Sequence, residues 1–192
     1  MSSSALLDAS AAKPSEGGAS YSLGNRLMRV FWKFTWLILA SWTPPPLHRY
    51  RVAILRMFGA DIDWTAHVYS NVKIWLPSNL VMEPHACLGP GVNCYCMARI
   101  RLRRGAIISQ GTTLCAATHD IRDPDFQLVA KPIQVGEGAW VAAEAFVGPG
   151  VSIGDRAVIG ARSVLCRDAE EEGVYVGNPA TLIKKRGGSN CK

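Results

Sequence analysis

Aliphatic residues recur every six positions along the second half of the chain. The series has no misses and comprises Val135, Val141, Val147, Ile153, Ile159 and Leu165. The residue after each of them is small, from Gly136 to Cys166. Helices repeat every 3.6 residues and strands every two, so neither element predicts this period. A hexapeptide repeat does, because three hexapeptides make one triangular coil whose aliphatic residues point inward and stack.

The preceding part of the chain follows the same rule with an insertion in each coil. Three triplets with internal steps of six recur at period 20, namely Ile62, Val68 and Ile74, then Met82, Leu88 and Cys94, then Leu102, Ile108 and Leu114. Extra residues fall near 77–79 and 97–99, and a loop over residues 115–132 follows the third triplet. These insertions should stack along one edge, which in repeat proteins is commonly the binding face. The predicted fold class is all-β, a parallel β-helix of about five coils.

The chain is expected to form one domain with terminal extensions. Its 192 residues and 48% hydrophobic content are sufficient for one core. The predicted segments are, in order, a disordered Ser/Ala/Gly-rich tail over 1–20, a helical segment over 21–60, the β-helix over 61–168 with its loop over 115–132, and a C-terminal tail over 169–192.

Basic residues are concentrated near the N-terminus. Residues 1–56 hold seven Lys or Arg against two acidic residues, which accounts for +5 of the net charge of +6. No basic stripe crosses the main domain, so nucleic acid is not an expected partner. Helices are predicted over 21–42 and 47–58, with tryptophans close to basic residues. This pattern favours either peripheral membrane contact or packing on the main domain, since the apolar run is shorter than the roughly 20 residues of a membrane span.

The six cysteines show no C-x-x-C pair and no metal-ligand spacing. They are Cys87, Cys94, Cys96, Cys115, Cys166 and Cys191. No basic-then-apolar leader opens the chain. We therefore expect reduced cysteines, a cytoplasmic location with peripheral placement at the inner face of the membrane as an option, and no metal.

His119 is the candidate general base. It is the one histidine of four in the long inserted loop, where functional residues concentrate, and imidazole accepts protons near neutral pH. Asp120 is a candidate to orient its ring. Two alternatives remain: a covalent route through Cys115, and a zinc site formed by His67, His85 and His119, whose spacing fits the coil poorly.

Three features together resemble the hexapeptide acyltransferase superfamily. They are the repeat itself, the loop string Thr118-His119-Asp120 and the tail string Gly177-Asn178-Pro179-Ala180. Local strings such as Phe58-Gly59-Ala60 and Gly138-Ala139-Trp140-Val141 are most similar to colanic-acid-biosynthesis-type acetyltransferases, close to the galactoside, maltose and nodulation O-acetyltransferases. The resemblance covers about residues 21–186.

The resemblance implies a left-handed β-helix, a homotrimer, and transfer of acetyl from acetyl-CoA to a sugar hydroxyl in exopolysaccharide or lipid-linked oligosaccharide biosynthesis. It also implies that His119 is the base and that acetyl-CoA lies in a groove between neighbouring prisms. By matching position, the groove would be lined by Trp140, Ala143, Ala161, Cys166, Arg167 and Lys184. The acceptor would lie near Tyr95 and Cys96. N-acetylation of an amino sugar or nucleotide sugar is the alternative, followed by a non-catalytic β-helix subunit or a zinc carbonic anhydrase.

Overall fold

Short parallel strands form the three faces of a triangular prism in the computed structural model, which describes residues 6–13 and 18–187. The strands are β1 Asp61–Ile62, β2 His67–Val68, β3 Lys73–Ile74, β4 Leu80–Met82, β5 Cys87–Leu88, β6 Asn93–Tyr95, β7 Ile100–Leu102, β8 Ile107–Ile108, β9 Thr113–Cys115, β10 Ala117–His119, β11 Leu128–Ala130, β12 Ile133–Val135, β13 Trp140–Val141, β14 Phe146–Val147, β15 Ser152–Ile153, β16 Val158–Ile159, β17 Val164–Leu165, β18 Gly173–Val176 and β19 Thr181–Lys185.

Each face takes one strand from every coil. The first face has the order β1-β4-β7-β12-β15, and the third has β3-β6-β9-β14-β17. The second face runs β2-β5-β8-β13-β16 and is extended by β18 and then β19, which pairs antiparallel with β18. Three coils precede the long loop and two follow it, so the predicted five-coil β-helix is confirmed.

The core of the prism is the stack of aliphatic positions read from the sequence. All fifteen of them, from Ile62 to Leu165, are buried. The small residues beside them allow the coils to approach closely at the corners. A Cβ added at Gly136 would lie 2.5 Å from the carbonyl carbon of Gly154 in the next coil, which real side chains do not tolerate. The close-packed corner therefore requires glycine at this position.

The insertions stack along one edge, as predicted. A 3-10 turn over Pro77–Asn79 forms the first, residues 97–99 form the second, and the β10–β11 hairpin forms the third. The Asn79 side chain donates hydrogen bonds to the carbonyls of Cys96 at 3.0 Å and Met97 at 2.9 Å. The carbonyl of Arg99 in turn accepts from the N–H of Ile133. Each insertion is thus held by the next one along the edge.

Three helices precede the first coil: α1 Ala9–Ala12, α2 Leu23–Leu39 and α3 His48–Met57. Helix α2 lies on the third face through Trp32 and Trp36. Their indole N–H groups donate to the carbonyls of Ile74 at 2.8 Å and Ser70 at 3.1 Å. Helix α3 packs its buried Val52, Ile54 and Leu55 beside the start of the prism.

Arg51 is the largest buried polar residue of this junction, and no part of it is exposed. Its guanidinium donates to the carbonyl of Val68 at 2.6 Å, to the Thr43 hydroxyl at 2.8 Å, and to the carbonyls of Pro44 at 2.9 Å and Pro45 at 2.6 Å. Burial lowers the pKa of Arg51. The side chain therefore fastens the proline segment to the first coil through backbone oxygens.

The expected disordered tail over 1–20 contains ordered structure in its described part. Leu6 forms a bridge with Tyr21, and the Ala9 N–H donates to the side-chain oxygen of Gln127 at 2.7 Å. The Gln127 amide donates in turn to the Leu7 carbonyl. The tail departs from the prediction because the long loop offers it hydrogen-bond partners. The rest of the tail (1–5 and 14–17), and residues 188–192 with Cys191, lie outside the described residues.

Candidate active site

A cavity of about 450 Å³ lies beside the stacked insertions. The ends of coils one and two contribute Trp75, Tyr95 and Met97, and the hairpin contributes His119 and Leu128. The N-terminal segment supplies a further wall with Tyr21, Arg26 and Arg29. The binding edge predicted from the stacked insertions therefore carries a cavity that contains the candidate base.

His119 is held by the hairpin that carries it. Residue pairing between β10 and β11 sets His119 opposite Leu128. Its Nδ1 lies 2.7 Å from the carbonyl oxygen of Phe126, an oxygen that can only accept. In the neutral ring, this hydrogen bond therefore assigns the proton to Nδ1 and leaves a lone pair on Nε2. This is the tautomer that a general base requires.

Asp120 does not orient the imidazole. Its carboxylate accepts a hydrogen bond from the Arg122 N–H at 2.9 Å, and its own N–H donates to the Gln127 carbonyl. Both contacts shape the turn at the tip of the loop. The expected orienting role of Asp120 is thus taken by a backbone carbonyl, because the hairpin brings the Phe126 carbonyl, and not the Asp120 carboxylate, next to the ring.

Only one of the two expected acceptor residues faces the cavity. Tyr95 lines it, with its ring edge-on to Trp75 at 4.7 Å between centroids. Cys96 is fully buried, and its sulfur contacts the backbone N–H and carbonyl of Leu76. Successive side chains of extended backbone point to opposite sides. The expectation for Cys96 as an acceptor contact is therefore not supported: this side chain holds the first insertion instead.

The residues expected to line the acetyl-CoA groove lie mainly on other parts of the prism. Trp140 stands on the second face and donates to the Ser109 hydroxyl at 2.9 Å. Ala143 and Ala161 stack at the corner between the second and third faces, where the Arg162 N–H donates to the Ala143 carbonyl.

The other three expected groove residues are all exposed. Cys166 and Arg167 follow β17 at the insertion corner, and Lys184 lies on β19. His119 belongs to the corner after the third face, whereas Ala143 and Ala161 belong to the corner before it. Within one chain, the base and the stacked alanines are therefore one face of the prism apart.

Sequence reasoning did not assign Tyr21, Arg26, Arg29 or Trp75 to this site. The Arg29 guanidinium lies 4.2 Å from the Trp75 ring centroid and 5.2 Å from that of Tyr21. The position of Trp75, directly before the first insertion, was a signal that could have identified it. The others come from the N-terminal segment, whose docking on this edge has no counterpart in the repeat pattern.

Within residues 6–13 and 18–187, no group of three or more His, Cys, Asp or Glu side chains is arranged to hold a metal ion. The His67 ring stacks on that of His48 at 4.6 Å beside helix α3. The alternative zinc site formed by His67, His85 and His119 therefore has no ligand set in the described part of the chain.

Comparison with known proteins supports the hexapeptide-repeat fold. The family model described as "Bacterial transferase hexapeptide (six repeats)" matches residues 132–167. "Putative colanic acid biosynthesis acetyltransferase WcaF" of Escherichia coli K12 is 37% identical over 163 residues, covering 85% of this chain and 90% of the relative.

Two solved structures have a similar fold. A maltose O-acetyltransferase from Clostridium difficile 630 superposes with a TM-score of 0.75 at 23% identity, covering 85% of this chain and 89% of that one. The hexapeptide-repeat acetyltransferase VCA0836 of Vibrio cholerae, complexed with acetyl coenzyme A, gives 0.75 at 21% identity, covering 87% and 91%. With a relative this similar over most of its length, the chain belongs to the hexapeptide-repeat acetyltransferase family, whose fold is a left-handed β-helix.

Proposed function

We propose that the protein transfers the acetyl group of acetyl-CoA to a hydroxyl of a saccharide during exopolysaccharide or lipid-linked oligosaccharide assembly. The observation that carries the proposal is the hydrogen bond from His119 Nδ1 to the Phe126 carbonyl, which leaves Nε2 able to take a proton inside the cavity. The name of the Escherichia coli relative supports the polysaccharide context.

The proposed reaction is a direct transfer with His119 as the base. Nε2 removes the acceptor hydroxyl proton while the oxygen attacks the thioester carbonyl. The tetrahedral intermediate then collapses, the C–S bond breaks, and the imidazolium returns the proton to the CoA thiolate. The Phe126 carbonyl stabilises the imidazolium through the Nδ1 N–H. A positioned base of this kind contributes about 10²–10⁴-fold to the rate.

The cavity wall suits a saccharide. Tyr95 and Trp75 present aromatic surface next to His119. Aromatic rings can cover the apolar C–H faces of a sugar, while the Tyr hydroxyl and Trp N–H provide polar handles. A ring held against this wall would leave its hydroxyls directed toward the loop that carries the base.

We further propose that the working enzyme is a homotrimer. His119 and the Ala143–Ala161 corner occupy different edges of one prism. In a ring with three-fold symmetry, the loop edge of one subunit can meet the alanine corner of its neighbour three times over. The small side chains of Ala143 and Ala161, stacked one above the other, would leave space there for the extended pantetheine arm.

The N-terminal helices are the proposed membrane contact. Helix α2 buries Trp32 and Trp36. Its large apolar side chains on the other sides, together with Trp42 just after the helix, are between 42% and 71% exposed: Leu23, Leu27, Met28, Val30, Phe31, Phe34, Leu37, Ile38, Leu39 and Trp42. Soluble monomers rarely expose such a continuous patch. In the described part of the chain, no helix has the length and hydropathy needed to cross a bilayer.

Three cations, Arg26, Arg29 and Lys33, lie on the same helix as this apolar surface. Basic residues beside exposed aromatic and aliphatic side chains are typical of helices that lie in the headgroup layer of an anionic membrane. We therefore propose a peripheral position at the cytoplasmic face, where a lipid-linked acceptor would be presented to the cavity.

Radiolabelled acetyl-CoA tests the proposed activity. Purified protein is incubated with the label and a panel of nucleotide sugars, lipid-linked oligosaccharides and amino sugars, and both acceptor labelling and free CoA thiol are measured. Base-labile label on a saccharide hydroxyl, absent with His119→Asn, is the expected result. Label that appears only on amino groups would show N-acetylation instead, and no labelled acceptor in the whole panel would overturn the proposal.

A further inference from the structure

Two guanidinium groups of the His119 cavity have no carboxylate partner. Arg26 and Arg29 both line the cavity, and among the described residues neither forms an ion pair with Asp or Glu. Arg29 donates to the Asn25 side chain at 2.9 Å and stacks over Trp75. Burial lowers the pKa of Arg29, and the neighbouring Arg26 acts in the same direction, so the pair concentrates positive charge that the protein does not neutralise.

Tyr21 and Trp75, which also line the cavity, each carry a buried donor without a partner among the described residues. In the described structure, the Tyr21 hydroxyl and the Trp75 indole N–H are the buried side-chain polar atoms that make no hydrogen bond. Tyr21 is only 8% exposed, and burial raises its pKa to about 12, so the hydroxyl keeps its proton at neutral pH. Buried donors without partners are rare and require an explanation, since each costs free energy when left unpaired.

The chemistry of these four groups indicates an anionic ligand. All of them donate hydrogen bonds or carry positive charge, and none of the cavity-lining side chains is acidic. A neutral sugar would leave both cations, one of them partly buried, without a counter-charge. A phosphate or carboxylate would accept from several donors at once, and arginine is suited to both groups because its planar fork matches their paired oxygens.

We infer that the acceptor is an acidic saccharide whose phosphate or carboxylate is held by Arg26, Arg29, Tyr21 and Trp75 while a hydroxyl reaches His119. The inference rests on the proposed saccharide acetyltransferase activity and adds the charge of the substrate. It also gives the N-terminal segment a role in substrate selection, since three of the four residues, Tyr21, Arg26 and Arg29, belong to it.

Matched probes test the inference by binding as well as by turnover. Methyl glucoside, methyl glucuronide and glucose 1-phosphate differ in charge, and their binding is measured by calorimetry on the intact protein. We expect at least one acidic probe to bind about tenfold more tightly than the neutral one, the gain expected of a charge-assisted hydrogen bond. The carboxylate and phosphate arms identify which anion the site prefers.

Variants connect that preference to the arginines. Arg26→Gln changes an exposed side chain and should remove most of the preference without affecting the fold, and Arg29→Gln should remove the remainder, with Arg29→Lys restoring part of it. Arg104→Gln, which removes the same charge from an exposed side chain elsewhere on the prism, should leave binding unchanged.

Equal binding of acidic and neutral probes, or a preference that survives both Gln variants, would overturn the inference. Turnover separates this result from the proposed function. Acetylation of neutral sugars without preference leaves the proposed function intact and rejects the acidic acceptor. Acidic binding that depends on the arginines, with no acetyl transfer to any saccharide, supports the anion site and rejects the proposed function.

Discussion

The imidazole Nδ1 of His119 lies 2.7 Å from the backbone carbonyl oxygen of Phe126, seven residues further along the same hairpin. The orienting partner of the proposed base is therefore main chain, and no substitution of Phe126 removes it directly. The position of that oxygen depends on the β10–β11 pairing and on Phe126 adopting a left-handed backbone with φ of 53°. The shape of the loop thus sets the tautomer of the neutral ring.

Replacing the base should remove turnover and spare donor binding. We expect His119→Asn to lower kcat by about 10²–10⁴-fold with little change in the KM for acetyl-CoA, because the amide cannot accept the proton. Steady-state kinetics that follow CoA release measure both constants. His85→Asn is the matched control, since His85 is exposed with φ of 62°, a conformation that asparagine tolerates. Retention of more than about a third of wild-type kcat by His119→Asn would show that the base is a different group.

Subunit mixing should reveal an active site shared between chains. We expect His119→Asn and Ala143→Trp to be inactive alone, the second because a bulky ring fills the proposed pantetheine space. In trimers assembled from equal amounts of both, roughly a quarter of the interfaces combine two intact edges. Activity near that fraction of wild type is expected after co-refolding. Failure of the mixture to recover any activity, with hybrid trimers demonstrated by mass spectrometry, would contradict a shared site.

Arg51 should be a major contributor to stability although it makes no ion pair among the described residues. Arg51→Met keeps the volume but leaves the carbonyls of Val68, Pro44 and Pro45 without their donor. We expect the free energy of unfolding to fall by about 2–4 kcal/mol, measured by urea denaturation. Arg49→Ala, an exposed residue on the same helix, should change it by less than about 0.5 kcal/mol. Equal stability of the two variants would refute the proposed anchoring role.

Membrane association should depend on the apolar surface of helix α2. Phe34→Gln combined with Ile38→Gln should weaken binding to vesicles that contain anionic lipid by about tenfold or more, because each change removes apolar area from the bilayer interface. Sedimentation with the vesicles measures the bound fraction. Ile121→Gln alters an exposed apolar residue at the loop tip and should have no effect. If the double variant binds as wild type does, the helix only packs on the prism or on another subunit.

Tyr21→Phe should separate stability from substrate binding. The hydroxyl has no partner in the described structure, so its removal should leave stability unchanged or raise it by up to about 1 kcal/mol. The same change should increase the KM for an acidic acceptor several-fold, since a donor to the anion is lost. Thermal denaturation and acceptor kinetics test the two parts, and a loss of stability without any change in KM would show that the hydroxyl has a purely structural role.

The alkaline pH dependence of stability provides a second measurement on this variant. Burial raises the pKa of Tyr21 from 10.0 to about 12, so the folded state binds the proton more tightly than the unfolded state does. This contribution is complete below pH 10 and is lost as the pH rises from about 10 to 12. Wild-type stability should therefore decline more steeply than that of Tyr21→Phe across this range, and parallel curves would contradict the assigned pKa.

Several features of the site could be predicted from the sequence because they follow from the repeat. The positions of the insertions after Ile74, Cys94 and Leu114 placed them at one corner, and the structure confirms that they stack there. His119 belongs to the longest of them, and it lines the cavity at this edge. A period of six is a local rule, so each coil places its residues in the same way as the coil before it.

The orientation of individual side chains could not be predicted from the sequence and is seen only in the folded chain. Asp120 directly follows His119 in the sequence, but the hairpin turns its carboxylate toward the Arg122 N–H. Cys96 follows a cavity residue directly, and the alternation of extended backbone turns it inward. Adjacent positions in the sequence therefore had opposite roles, because the loop conformation and not the spacing decides which atoms meet.

The sequence by itself determined the β-helix, the edge at which the insertions stack and the position of the candidate base in the longest of them, since a period of six repeats one local geometry with one buried side. Only the tertiary structure brought Tyr21 and Arg29 to Trp75 and His119. These contacts join segments that are far apart in the chain, and the Trp32–Ile74 hydrogen bond that docks helix α2 spans 42 residues. Docking of this kind depends on the complementary shape and polarity of two formed surfaces, and no repeat in either segment specifies the other.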